Sequence, residues 1–212
     1  MADTPSSRQR WHDQQPTVAR SVKLLEIFPP DYQILLGETI ITLAEKHCKA
    51  KELMANLRSL GPEKVLSIFK SKGKRRPYDQ LPTVHQALNY MFILPDNERL
   101  YIAGHVIVLV GHMVAYFKYS MEHGSPVYLG TVAALTNSYA QGQFKDLNSF
   151  LAQLQQSTEI PAGTPIETSQ LATFTAVLAD ELAAPEPVAK TGGERDTKIA
   201  HDNTDMKIKL DL

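Results

Sequence analysis

The chain has 212 residues, 43% of them hydrophobic and 21% charged, with 22 Lys+Arg against 23 Asp+Glu. That length holds one domain with appendages rather than two full domains, and the composition excludes collagen-like, pure coiled-coil and disulfide-scaffold classes. The near-neutral balance argues against a general nucleic-acid binder, and a single cysteine, Cys48, excludes an internal disulfide and any CxxC site.

Residues 1–16 are polar, rich in Ser, Gln and Arg, and read as a disordered arm without a secretion signal. Trp11, the only tryptophan, lies in it, either as a docking anchor or folded back on the domain. From Thr17, Val18, Val22, Leu25 and Phe28 fall on one helical face until Pro29-Pro30. Asp31 opens a longer helix through Leu36, Ile40 and Leu43, expected to continue through Leu57 to a stop at Gly61. A short helix with Val65, Leu66, Ile68 and Phe69 follows, then a basic loop over 73–81. Pro82 starts the next helix, through Val84, Leu88 and Phe92 to Pro95.

Leu100 to Phe117 runs 18 residues without a formal charge. Such a stretch is long enough to span a bilayer, but it also suits the central helix of a soluble domain, apolar on all sides. His105, His112 and two glycines inside it favour the buried helix over the membrane span. Gly124-Ser125-Pro126 ends it. Residues 126–139 and 145–156 supply two further helices, the second with Phe150, Leu151 and Leu154 on one face. The pattern from 17 to 156 is therefore an all-α, compact multi-helix domain around one strongly apolar helix. Its expected core is Leu25, Leu36, Ile40, Leu43, Leu57, Ile68, Phe69, Leu88, Phe92, Ile107, Leu109, Val114, Leu135 and Phe150.

Residues 157–212 change character. A Pro/Thr/Gly linker leads to an isolated amphipathic helix carrying Leu171, Phe174, Leu178 and Leu182, ended by Pro185 and Pro187. A polar, disordered tail follows and closes on the alternating MKIKLDL, where Ile208 and Leu210 share a face. A tethered helix of this kind is how helix-in-groove ligands look, and an alternating terminus is how a strand-adding peptide looks. Leu171, Phe174, Leu178, Leu182, Ile208 and Leu210 are the expected partner-docking residues, with docking of the helix onto its own domain as the alternative.

Charge is distributed unevenly. From Glu45 to Arg76 there are ten basic residues against three acidic ones; from Ser157 onward there are ten acids against five bases. Lys70, Lys72, Lys74, Arg75 and Arg76 form a glycine-broken segment suited to phosphates of nucleic acid or an anionic surface. The acidic C-terminal region is positioned in sequence to shield it.

No phosphate-cradling GxxxxGK[ST], no GxGxxG, no GxSxG and no HExxH occurs. His47 and Cys48 are adjacent, which on a helix splays them about 100° apart rather than converging as a catalytic pair. His105 and His112 lie a heptad apart on one helix face, about 10 Å apart along it, too far to chelate one ion unaided. They read as histidines hydrogen-bonded to neighbours. Gly104 and Gly111, also a heptad apart, read first as a tightly packed core and second as a dimer seam or ligand slot. No catalytic residue, metal or cofactor is assigned. The expected function is a cytoplasmic, non-enzymatic adaptor, assembly or regulatory factor that binds protein partners, with homodimerisation possible. The alternatives are a nucleic-acid-associated regulator binding phosphates through the basic segment 64–76, and an enzyme with an unrecognised site or a membrane-associated protein using helix 100–117.

Overall fold

In a computed structural model the described residues are 11–47, 80–156 and 163–185. They form seven α-helices and no strand, so the chain is all-α. The helices are α1 (Pro16–Ile27), α2 (Pro30–His47), α3 (Pro82–Ile93), α4 (Asp96–Glu122), α5 (Leu129–Ala140), α6 (Leu147–Gln156) and α7 (Thr168–Ala183). Pro16, Pro30 and Pro82 each occupy a first helical position, where the missing N–H would have no intrahelical partner anyway. Asp146 starts α6 by accepting from the Ser149 backbone N–H at 2.8 Å and the Ser149 hydroxyl at 2.9 Å.

Helix α2 packs most extensively on α3 and α5, and α4 on α1 and α7. Gly37 sits where α2 crosses α3: a Cβ placed there would lie 3.4 Å from the backbone of Thr83, already in contact. Of the expected core, Leu25, Leu36, Ile40, Leu43, Leu88, Leu109, Val114, Leu135 and Phe150 are buried. Phe92 and Ile107 are half-buried, because each sits at the edge of its helix's inward face. Leu57, Ile68 and Phe69, with the expected helices over 48–69, lie outside the described residues.

Two expectations about the ends need correction. Trp11–Gln14 forms a 3-10 turn against α1 and buries His12, so ordered structure begins inside the stretch read as an arm. Helix α7 does not stand apart on its tether. It packs on α4 and α1, and Leu171, Phe174 and Leu178 are buried, Leu178 completely.

Interactions in the middle and at both ends explain why α7 docks. Phe174 enters an aromatic cluster, edge-on to Phe117 at 5.5 Å between centroids and 6.2 and 5.9 Å from Phe28 and Tyr32. Arg20 of α1 donates through one guanidinium nitrogen to the carbonyls of Glu181, Leu182 and Ala184, each at 2.6 Å, satisfying the open C-terminal end of α7 with a cation. Lys23, one turn along, pairs with Glu181 at 2.5 Å. At the other end, Ile166 N–H donates to the Val127 carbonyl at 2.9 Å, and Tyr128 and Pro165 form an isolated antiparallel bridge that steers the chain into α7. Arg99 plays the part of Arg20 for α3, donating to the carbonyls of Met91, Phe92 and Leu94 at 2.8–2.9 Å.

Candidate functional site

Helix α4 is 27 residues long, and its most apolar 18-residue window has a mean hydropathy of 1.8, yet only half of that window is buried. By length and composition it could cross a membrane. The expectation of a helix buried on every side is therefore corrected. Ile102, Ala103, Val106, Leu109, Val110, Met113, Val114 and Phe117 face the core. The opposite side carries Leu100, Tyr101, Gly104, Val108, Gly111 and Ala115. Leu100, Tyr101 and Val108 are 39%, 44% and 51% exposed, large values for apolar side chains on a helix this apolar.

The glycines locate the same face. A Cβ at Gly104 or Gly111 would have nothing within 4 Å. They are not packed against a neighbour, contrary to the tightly packed reading, whereas Gly37 is. Each instead leaves a shallow notch in an apolar strip.

One edge of the strip is aromatic and imidazole-rich. His47 at the end of α2 lies 5.9 Å between ring centroids from Tyr101, and Tyr101 lies 4.4 Å edge-on from His105. His105 Nδ1 and the Tyr139 hydroxyl of α5 share a hydrogen bond of 2.8 Å. His112 lies 4.7 Å from Phe144 and 6.1 Å from Tyr139. Burial pushes both imidazoles below the ordinary 6.5, and His47 adds to the effect on His105. Burial also pushes the Tyr139 hydroxyl up, with Tyr101 adding to it. His105, His112 and Tyr139 are thus uncharged at neutral pH and continue the apolar surface. Among the described residues, no group of three or more His, Cys, Asp or Glu is placed to hold a metal ion.

The other expected sites divide in two. Leu171, Phe174 and Leu178 are taken up by the chain's own core, and Leu182 is half-buried against it. The face expected to receive a partner is occupied in cis. Ile208 and Leu210, and the basic Lys70, Lys72, Lys74, Arg75 and Arg76, lie outside the described residues. The open face of α4 had one sequence signal: the small residues Gly104, Gly111 and Ala115 share one side with Val108, while the bulk of Ile102, Leu109, Met113 and Phe117 lies on the other.

No family model matches the chain, and no curated protein or solved structure is detectably similar to it.

Proposed function

We propose that this chain is a non-enzymatic protein-interaction factor of the cytoplasm, of adaptor, assembly or regulatory type, and that it docks its partner on the open face of α4. One observation carries the reading. A domain that has already buried α7 in cis leaves Leu100, Tyr101 and Val108 exposed beside two unfilled glycine notches. Surface apolar residues scattered singly need no explanation, but several on one side of the longest described helix, beside two empty glycine notches, support a docking surface. The docking role thereby moves from α7 to α4.

The test is a photo-crosslinking amino acid placed at Val108, with a second at exposed Gln153 on α6 as control. A discrete adduct at Val108, absent at Gln153 and lost on Gly111→Leu, is the expected result. Equal labelling at the two positions would overturn the reading.

The second reading, phosphate binding through Lys70, Lys72, Lys74, Arg75 and Arg76, is favoured by the density of positive charge in that segment. Its test is the salt dependence of binding to single-stranded DNA.

A further inference from the structure

Six of the seven described helices fall into two groups. Helix α2 packs most extensively on α3 and α5, whereas α4 packs on α1 and α7. Two sets of rings cross between the groups. Near the start of α2, Tyr32 lies edge-on to Phe117 of α4 at 6.3 Å between centroids, and 5.9 Å from Phe174 of α7. About 22 Å further along the same helix, His47 faces Tyr101, and Tyr101 faces His105. Tyr139 of α5 meets both His105 and His112. Gly142, at φ +72°, then turns the chain so that Phe144 meets His112 as well.

We propose that the second crossing is an acid-sensitive clasp: protonation of His105 and His47 parts α5 and the end of α2 from α4, with the Tyr32 crossing as the hinge. The two crossings differ in chemistry. Tyr32, Phe117 and Phe174 are uncharged at neutral and at acid pH, so acid leaves their contact alone. The imidazole row responds. The neutral pair is satisfied when the Tyr139 hydroxyl donates to His105 Nδ1, at 2.8 Å. An imidazolium carries a proton on both nitrogens and accepts nothing. Tyr139 can then only accept, and its own hydroxyl proton loses its partner in a half-buried place. A charged His105 also meets His47 across the ring of Tyr101, and the two repel when both are protonated.

The surrounding charges do not offset this. On α2, Lys46 is held by Gln141, which ties α2 to the end of α5, and Glu45 lines the cleft between those two helices. Helix α5 has no ionisable side chain besides Tyr139, and α6 has none. In the loop between them Lys145 is one more cation, and the Asp146 carboxylate is engaged by Ser149. Along α4 no formal charge lies between Leu100 and Phe117. Burial first and His47 second hold His105 neutral, and burial holds His112 neutral. The clasp does not require the docking role of α4 given above.

The test uses the full chain in a Cys48→Ser background, with pairs of spin labels on cysteines at exposed positions. Val108 with Ala134 reports across the clasp, and Asp31 with Lys118 reports across the hinge. Electron–electron distances are compared at pH 7.5 and one unit below the His105 midpoint found by NMR. The Val108–Ala134 distance should lengthen by at least about 2 Å, the scale of helix shifts in switching proteins, while the Asp31–Lys118 distance stays the same. His105→Gln should abolish the lengthening. In the unlabelled chain, His47→Gln should raise the His105 midpoint, because a repelling cation has been removed.

A Val108–Ala134 distance that does not change once His105 has titrated would overturn the inference. So would equal changes at both label pairs, which would mean unfolding of the whole domain rather than opening of a clasp. A His105 midpoint indifferent to His47→Gln would remove His47 from the device.

Discussion

Arg20 and Ala184 are 164 residues apart in sequence, yet the guanidinium of one lies 2.6 Å from the carbonyl of the other. That hydrogen bond joins α1 to the end of α7 and makes α7 part of the domain rather than a free ligand. Arg20→Met leaves three helix-terminal carbonyls without their cation and should cost about 1–3 kcal/mol. Phe174→Ala empties the centre of the aromatic cluster and should cost about 3–5 kcal/mol. Truncation after Gln156 removes Leu171, Phe174 and Leu178 together and should abolish cooperative unfolding. Denaturant melts followed by circular dichroism check all three. A truncated chain that still unfolds cooperatively, with wild-type stability, would return α7 to the role of a tethered ligand.

The helices themselves were legible because their boundaries are local chemistry. Pro16, Pro30 and Pro82 mark starts, and the 3.6-residue spacing of Val18, Val22 and Leu25 or of Leu36, Ile40 and Leu43 marks inward faces. Helix α4 defeated the same logic. Val108 and Val106 are the same residue type two positions apart, and only the placement of α1 and α7 decides which is covered. Periodicity cannot orient a helix that is apolar all round. The docking of α7 was equally out of reach, since the local pattern of Leu171, Phe174, Leu178 and Leu182 is identical whether its groove belongs to another protein or to its own domain.

The two kinds of glycine should respond oppositely to substitution. Gly37 lies against the Thr83 backbone, so Gly37→Leu forces α2 and α3 apart and should cost about 1–3 kcal/mol or more. Gly104→Ala and Gly111→Ala enter open space in a helix interior and should each stabilise the monomer by about 0.5–1 kcal/mol. Thermal melts of each single variant beside the wild-type chain check the sign. A loss of stability at Gly104 or Gly111 would mean that the face is already filled.

The imidazole row predicts a pH dependence. Both His105 and His112 have folded-state pKa values below the ordinary 6.5. The unfolded chain therefore binds protons that the folded chain resists, and stability falls as pH drops below 6.5 until the folded-state pKa values are reached. Above that window the histidines contribute no pH dependence. His105→Gln with His112→Gln should flatten the stability profile between pH 7.5 and the acid side of this window, measured by urea melts, and NMR titration of the imidazoles should give midpoints below 6.5. A midpoint above 6.5 for His105 would contradict the burial of that imidazole. Protonation also places positive charge beside the open face of α4, so acid should weaken docking of an apolar partner there over the same range.

The docking of α7 fixes in place three of the acids expected to shield the basic segment. Of the ten acids from Ser157 onward, Glu167, Asp180 and Glu181 lie at the head of α7 or within it. Glu181 is also paired with Lys23. The residues beyond Pro185 hold six acids against five bases, too nearly balanced to neutralise a segment with ten bases and three acids. Deleting residues 186–212 should therefore leave binding to a phosphate-rich probe such as single-stranded DNA nearly unchanged. Replacing Lys72, Lys74, Arg75 and Arg76 with Ala should weaken it at every sequence tested. It should also lower the slope of log affinity against log salt by about 0.7 for each phosphate of the single strand that is no longer neutralised. Fluorescence anisotropy across a salt series measures both effects. A several-fold gain in affinity on deleting 186–212 would restore the shield, and a salt-independent or absent signal from the intact chain would remove the phosphate-binding reading altogether.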